Sequence, residues 1–173
     1  MAEFREDWTS PSVVAATCLW LGRIPFAPGT WAAMAGVGVS LATGTAAAEL
    51  AGWASRPEAA TAIEAVILVA ANLAGIPICS AAVRRLGRGS DPGPIVIDEA
   101  LSLPLGMLVV PFDGRSLPVL VAGWILHRVF DISKPFPCRR LEHLPGGLGV
   151  MADDWAAAAW MAAAMLAWRA AGV

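Results

Sequence analysis

Five carboxylates lie at three points of a chain that otherwise carries few charges. Asp98 and Glu99 follow the apolar run IVI, Asp131 lies near the end of another apolar segment, and Asp153 and Asp154 precede an alanine-rich one. An ionised carboxylate among apolar side chains is costly unless it is protonated, paired with a cation or bound to a metal. Oxygen ligands without His or Cys partners suit Mg²⁺ better than zinc or copper. The set therefore predicts a Mg²⁺ site, with Asp98, Glu99, Asp153 and Asp154 as candidate ligands.

Arg128 and Lys134 flank Asp131 at intervals of three residues, which places the three side chains near one another on one helix face. An intrahelical series of salt bridges is the simpler interpretation. Next to a Mg²⁺ site, Arg offers phosphate oxygens a bidentate fork and Lys a point charge. We therefore predict Asp131, Arg128 and Lys134 as catalytic residues, with Asp131 acting either as a general base on water or as a covalent nucleophile. His127 and His143 are candidate leaving-group acids, although a structural role is more ordinary for either.

Two glycine-containing segments precede predicted helices. PFAPGT places Pro28, Gly29 and Thr30 at a junction between loop and helix, and PGGLGVMADD places Gly146 and Gly147 shortly before another helix. Free N–H groups at a helix N-terminus can receive an anion such as phosphate. These five residues are therefore candidate substrate-binding positions. A tight turn is the alternative for both segments, and the GxxxxGK[ST] pattern of a P-loop is absent from the sequence.

The carboxylate pairs also have structural interpretations. Asp153 and Asp154 before a helix are typical of an N-cap, and Asp98 and Glu99 would suit a solvated helix end. The scarcity of charge elsewhere favours a shared site, because 57% of the 173 residues are hydrophobic and only 15% are charged.

Composition excludes some classes of function. The net charge of −2 provides no basic surface for nucleic acid. Cys18, Cys79 and Cys138 are far apart and odd in number, which is typical of single apolar side chains in a reducing compartment and not of a disulfide or zinc framework. The N-terminal MAEFREDWTSPS has mixed charge and lacks the pattern of a signal peptide.

Apolar segments of helical length, separated by proline and glycine, predict an all-α fold of roughly five to seven helices in a single compact domain, residues 1–173. Segments 22–30 and 144–154 are predicted as loops, and Pro104 is expected to kink or break its helix. The expected helices are 12–21, 31–42, 58–87, 95–112, 117–133 and 153–171.

The high mean hydropathy of +0.63 favours a membrane-embedded or membrane-associated domain. A bilayer span needs about 20 mostly apolar residues, and residues 61–83 are long enough although they contain Glu64, Asn72 and Pro77. Residues 101–112 and 117–126 are each too short and predict a buried or re-entrant hairpin, while 155–171 reaches the length only marginally. A compact globule of fully buried helices is the alternative.

Four blocks occur in order between residues 22 and 154: GRIPFAPGT, DPGPIVIDE, RVFDISKPFP and GGLGVMADD. Together they resemble the phosphatidylglycerophosphatase A family of bacterial membrane lipid phosphatases. The resemblance implies an all-helical protein of the bacterial inner (cytoplasmic) membrane that depends on Mg²⁺ and removes the terminal phosphate of phosphatidylglycerophosphate. It marks as functional the pair Asp98–Glu99, the block Arg128, Asp131 and Lys134, and the pair Asp153–Asp154.

The chain departs from the family pattern at several positions. Ser102 and Ala158 replace glycines, His127 replaces Phe, and Glu142 replaces Asp. WAA follows PGT, where a small Gly-Ser pair is more usual. The charged set stays intact, so these changes bear on helix packing and substrate preference.

We therefore expect a phosphoric monoester hydrolase that acts on phosphatidylglycerophosphate at the cytoplasmic membrane face. Two alternatives stay open: a phosphatase acting on a soluble phosphate ester, and a non-enzymatic membrane protein that uses buried carboxylates for ion conduction or assembly. The sequence leaves open the head-group preference, the number of spans, the oligomeric state and the division of the carboxylates between metal and base.

Overall fold

The computed structural model describes residues 6–52, 57–87, 89 and 92–171, and these residues form seven α-helices and no β-strand. Asp91 of the second block lies outside the described residues. The prediction of an all-α fold is confirmed. The helices are α1 (Pro11–Ala16), α2 (Pro28–Leu50), α3 (Pro57–Leu86), α4 (Ile97–Met107), α5 (Leu117–Ser133), α6 (Cys138–Leu141) and α7 (Gly147–Ala170), with 3-10 turns at Leu21–Arg23 and Phe112–Gly114.

Helix α4 lies at the centre of the bundle, where it packs against α2, α3, α5 and α7. Glycines allow the closest of these crossings. A Cβ at Gly36 of α2 would lie 3.0 Å from the carbonyl oxygen of Ala100, and a Cβ at Gly106 of α4 would lie 2.9 Å from that of Ala158. Small residues at such crossings let helix backbones approach closely, as in membrane bundles.

The long helices alternate in direction, so one end of the bundle carries the N-termini of α2, α4 and α7 and the C-termini of α3 and α5. Contacts at this end join Gly29 to Glu99 and Ser80 to Gly147. We call it the carboxylate end, because all five predicted carboxylates lie there. The opposite end holds the loop between α4 and α5.

Helix α3 carries polar residues inward and apolar residues outward. Glu64 and Asn72 are buried, whereas Val66, Val69 and Leu73 are exposed. An amphipathic helix in a water-soluble protein shows the reverse arrangement, so this outer face suits lipid. Helices α2 and α3 are, by length and composition, long and apolar enough to cross a membrane.

A buried ion pair fixes the opposite end. Arg115 donates from Nη1 and Nη2 to the two carboxylate oxygens of Glu64, at 2.7 Å each, and from Nη1 to Oγ of Ser40 at 3.0 Å. Both charged side chains are at most 2% exposed. Because Nε of Arg115 also donates to the carbonyl of Val110, the pair ties the α4–α5 loop to α2 and α3.

Several predicted boundaries are wrong. Helix α2 begins at Pro28 and α7 at Gly147, inside segments predicted as loops. Asp153 and Asp154 therefore lie two turns inside α7 and do not cap it. The first helix ends at Ala16, because the backbone turns left-handed from Cys18 to Trp20.

Candidate active site

Asp98 and Glu99 on α4 and Asp154 on α7 form an acidic triad at the carboxylate end. Each offers one carboxylate oxygen, and the three oxygens lie within 4.8 Å of one another. Asp98 and Glu99 lie in the first turn of α4, where the helix dipole favours negative charge. Asp154 reaches them because α7 packs along α4. Asp98 is 8% exposed and Asp154 is 2% exposed, so the triad is withdrawn from solvent.

The triad concentrates more negative charge than its surroundings neutralise. Burial and repulsion from Glu99 and Asp154 raise the pKa of Asp98 well above its usual range. Burial, with repulsion from Asp131 and Glu99, likewise raises the pKa of Asp154, and burial raises the pKa of Glu99 to about 7. Oδ1 of Asp98 and Oε2 of Glu99 are buried without a hydrogen-bond partner in the described part of the chain. Unpaired oxygens in such a cluster fit a divalent cation that prefers hard ligands, such as Mg²⁺.

Arg128 and Asp131, on the last two turns of α5, lie next to the triad. Nη1 of Arg128 donates to Oδ2 of Asp131 at 2.5 Å and lies 3.7 Å from Oε1 of Glu99. Nε of Arg128 has no partner among the residues that the structure describes. A guanidinium that is only partly engaged keeps donors available for a phosphate.

The start of α2 packs against Glu99 and Arg128. A Cβ at Gly29 would lie 2.0 Å from Oε1 of Glu99 and 3.1 Å from Nη1 of Arg128, so a larger residue would displace the Glu99 carboxylate. Pro28 occupies the start of the helix, where its missing N–H costs nothing, and Thr30 follows in the first turn. Pro28 has no N–H, and the N–H of Thr30 donates to the carbonyl oxygen of Ala27 at 2.9 Å. Gly29 is therefore the first-turn position whose N–H is available beside the triad in the described part of the chain.

Lys134 forms a second charged cluster. Its Nζ donates to Oε2 of Glu142 at 2.5 Å and to Oδ2 of Asp153 at 2.8 Å. Burial opposes the charged form, but the hydrogen bonds to Asp153 and Glu142 outweigh it and raise the pKa of Lys134. The structure thus separates the two aspartates that the sequence analysis groups together, because Asp153 meets Lys134 while Asp154 joins the triad.

Gly146 and Gly147 hold α7 against α3. The N–H of Gly147 donates to Oγ of Ser80 at 2.8 Å, and a Cβ at this position would lie 2.1 Å from the carbonyl oxygen of Ile76. This N–H, predicted to bind substrate, is therefore engaged by α3, and the close packing sets the position of the two aspartates that follow on α7.

The structure adds Ser102 and Glu142 to the site and gives His127 defined contacts. Oγ of Ser102 lies 2.9 Å from Nε2 of His127 and 3.3 Å from Oδ2 of Asp154. The four-residue spacing from Asp98 to Ser102 is a signal that places both on one helix face. Glu142 carries no such signal, because it meets Lys134 across the irregular turn that contains two prolines.

Known proteins resemble this chain over most of its length. The family model Phosphatidylglycerophosphatase A matches residues 14–169. A curated protein of Haemophilus influenzae named Phosphatidylglycerophosphatase A is 34% identical over 140 residues, which cover 79% of this chain and 76% of the relative. The Escherichia coli protein of the same name is 30% identical over 81 residues, 46% of this chain and 45% of the relative.

A third relative carries a different name. A protein of Bacteroides thetaiotaomicron named "Putative phosphatidylinositol-3-phosphatase" is 41% identical over 66 residues. The match covers 38% of this chain and 42% of that protein, so this chain spans less than half of the relative's length. No solved structure matches the chain.

Proposed function

Because this chain belongs to the phosphatidylglycerophosphatase A family of phosphoric monoester hydrolases, we propose that it removes the terminal phosphate of phosphatidylglycerophosphate to give phosphatidylglycerol. The observation that carries the proposal is the acidic triad with two unpaired oxygens, next to a partly engaged arginine. We further propose that residues 1–173 form a single domain, in keeping with one family match over most of the chain.

Asp98, Glu99 and Asp154 would hold Mg²⁺. The buried, unpaired Oδ1 of Asp98 and Oε2 of Glu99 support this assignment, because a cation would satisfy both. A bound Mg²⁺ supplies Lewis acidity and neutralises charge on a phosphoryl group. Asp153 would orient Lys134 instead of binding the metal, since its carboxylate accepts a hydrogen bond from the Lys134 ammonium.

Arg128 would bind the phosphate with its guanidinium fork, and the N–H of Gly29, between Pro28 and Thr30 at the start of α2, would donate to another phosphate oxygen. When Arg128 turns to the phosphate, Asp131 is released from its ion pair and can accept the proton of the attacking water. Lys134 would add positive charge where the transition state gathers negative charge.

An apolar groove beside Lys134 supports a lipid substrate over a soluble phosphate ester. The groove has a volume of about 770 Å³ and lies between the α6 segment and α7. Phe136, two residues after Lys134, lines this groove, so the phosphate of a lipid whose acyl chain lies in it could reach Lys134. The Bacteroides relative makes a phosphorylated phosphatidylinositol the second candidate substrate. The groove is lined by Phe136, Pro137, Leu141, Leu144, Leu148, Ala152, Trp155, Ala156, Ala159, Trp160 and Ala163.

The charge distribution supports a membrane orientation with the site facing the cytoplasm. Segments flanking membrane spans carry excess Lys and Arg on the cytoplasmic side. At the carboxylate end the described residues include five exposed arginines, and at the opposite end one exposed arginine accompanies three exposed carboxylates. We infer that the protein lies in the bacterial inner membrane with this end inward. The arginines are Arg23, Arg84, Arg85, Arg139 and Arg140 at the carboxylate end and Arg169 opposite, beside Glu49, Glu58 and Asp113.

The test is phosphate release by the purified protein in detergent, with phosphatidylglycerophosphate, a phosphorylated phosphatidylinositol and glycerol 3-phosphate compared side by side. We expect release from phosphatidylglycerophosphate that requires Mg²⁺, stops with EDTA and falls by more than about a hundredfold in Asp131→Asn. Asp113→Asn is the matched control, because it removes an exposed carboxylate at the opposite end. Activity that survives EDTA contradicts the metal, and equal activity on glycerol 3-phosphate contradicts the lipid substrate.

A further inference from the structure

Ser102 and His127 form a buried series of hydrogen bonds that ends at the acidic triad. Both residues are 0% exposed. Nε2 of His127 lies 2.9 Å from Oγ of Ser102, and Ser102 donates to Oδ2 of Asp154 at 3.3 Å. These hydrogen bonds join three helices, since His127 lies on α5, Ser102 on α4 and Asp154 on α7.

The hydrogens in these two hydrogen bonds can be placed by counting donors. A serine hydroxyl has one hydrogen, and Ser102 gives it to Asp154. Oγ of Ser102 must then accept from His127, so Nε2 carries a hydrogen, and at this fully buried position the uncharged ring with that single hydrogen is favoured. Nδ1 of His127 is left as an acceptor, in agreement with its lack of a partner in the described part of the chain.

We infer that His127 and Ser102 are positioning residues that orient the carboxylate of Asp154 towards the metal, an inference that rests on the proposed metal site. The hydrogen from Ser102 occupies one lone pair of Oδ2 and directs the rest of the carboxylate towards Asp98 and Glu99. Residues that hydrogen-bond to metal ligands fix ligand orientation, and their loss costs about 10–100-fold in metal affinity. An apolar ring would fill the space of His127 without leaving a buried nitrogen unpaired, so the N–H is the feature that this position uses.

Metal affinity tests the role without relying on turnover. Mn²⁺, a paramagnetic substitute for Mg²⁺, is titrated into the purified protein and free Mn²⁺ is measured by electron paramagnetic resonance. We expect Ser102→Ala and His127→Phe to weaken Mn²⁺ binding by about 10–100-fold. His127→Gln carries an amide N–H near the place of Nε2 and should restore affinity to within about threefold of the parent.

Ser40→Ala is the matched control. Ser40 is also a buried serine in a charged network, but its hydroxyl accepts from Arg115 at the opposite end. It should lower thermal stability about as much as Ser102→Ala and leave Mn²⁺ affinity unchanged. If Ser102→Ala binds Mn²⁺ like Ser40→Ala, the two residues are structural and the inference is wrong.

The imidazole tautomer gives a second readout. The chain contains two histidines, so ¹⁵N-histidine labelling yields two sets of signals, and His143→Ala identifies those of His127. We expect the hydrogen on Nε2, whereas a hydrogen on Nδ1 would overturn the inference. If the parent binds no Mn²⁺, the proposed metal site is wrong and the positioning role falls with it; Mn²⁺ binding without phosphate release would refute the proposed activity alone.

Discussion

Glu99 is the triad carboxylate whose proton should be easiest to follow, because burial raises its pKa from 4.5 to about 7. At a pH between these two pKa values, Glu99 of the folded, metal-free protein holds a proton that Glu99 of the unfolded chain has released. The free energy of unfolding should therefore fall as the pH rises from 5 to 8, by about 2–3 kcal/mol for this group alone. Asp98 and Asp154, whose pKa values are also raised, act in the same direction.

Chemical denaturation in detergent with EDTA, at intervals of one pH unit, measures this dependence. Glu99→Gln should flatten the slope, since it removes one of the three groups. Saturating Mg²⁺ should also flatten it, because a bound cation keeps the carboxylates ionised. A metal-free parent whose stability stays constant or increases from pH 5 to 8 would show that the triad is not electrostatically strained. Glu142, with its pKa lowered by Lys134, adds little in this window, because its contribution is lost only below about pH 4.5.

The residue types of the site could be predicted from the sequence. Which of two adjacent residues contacts which partner could not. The scarcity of charge singles out the triad, the Arg128–Asp131 pair, Lys134 and Asp153, but not Glu142, which completes the Lys134 cluster. Asp153 and Asp154, however, point about 100° apart around α7, and which of them faces α4 depends on the rotation of that helix. This rotation is set by the packing of Gly147 on Ile76, which is a tertiary contact.

At the scale of elements, the Glu64–Arg115 pair holds the α4–α5 hairpin in the bundle. Glu64→Leu leaves the Arg115 cation buried without its counter-charge, and we expect the free energy of unfolding to fall by about 3–5 kcal/mol. Replacing both residues, with Glu64→Leu and Arg115→Met, should recover most of this loss because no unpaired charge remains. A double-mutant cycle from denaturation curves in detergent measures the coupling.

The same cycle separates stability from chemistry. Per folded molecule, the double variant should keep its phosphatase activity, because the pair lies at the end opposite the triad. A double variant less stable than Glu64→Leu alone would mean that the pair contributes through hydrogen bonds to Ser40 and Val110 more than through charge.

The groove along α7 gives a second prediction at this scale. Ala159→Trp should fill the groove and raise KM for long-chain phosphatidylglycerophosphate by about tenfold or more, since each buried methylene contributes about 0.8 kcal/mol. The short-chain dihexanoyl analogue should lose less, because it buries fewer methylenes in the groove. Ala70→Trp, at an exposed alanine on the outer face of α3, is the matched control. An equal effect on both chain lengths would show that the groove does not bind acyl chains.

Helices rich in glycine are the elements that the sequence misassigns. Glycine destabilises an isolated helix by about 1 kcal/mol per residue relative to alanine, so PGT and PGGLG are typical of loops. In the structure they begin α2 and α7, because Gly29 and Gly147 lie where a side chain would collide with Glu99 and Ile76. Pro104 similarly stays inside α4. It cannot donate to the carbonyl of Ala100, and Gly36 lets α2 cover that oxygen.

At the scale of the whole molecule, the all-α class follows from apolar segments of helical length, and it is confirmed. The central position of α4 could not be predicted, because α4, with 11 residues, is shorter than the four helices that surround it. Its place follows from small residues that meet across helices and from the inward polar groups of α3. These contacts form only when the helices pack together, so the order of the segments in the sequence does not reveal them.

The asymmetry of charge between the two ends predicts how the molecule sits in the membrane. The described residues carry five exposed arginines at the carboxylate end and an excess of exposed carboxylates at the opposite end, so the carboxylate end should face the cytoplasm. Two variants, each with a single cysteine, test this in Escherichia coli after Cys18, Cys79 and Cys138 are replaced by alanine. A membrane-impermeant maleimide should label Asp113→Cys in intact spheroplasts, but Arg139→Cys only after lysis. The opposite pattern would place the site outside the cytoplasm, and labelling of both only after lysis would mean that the chain does not span the membrane.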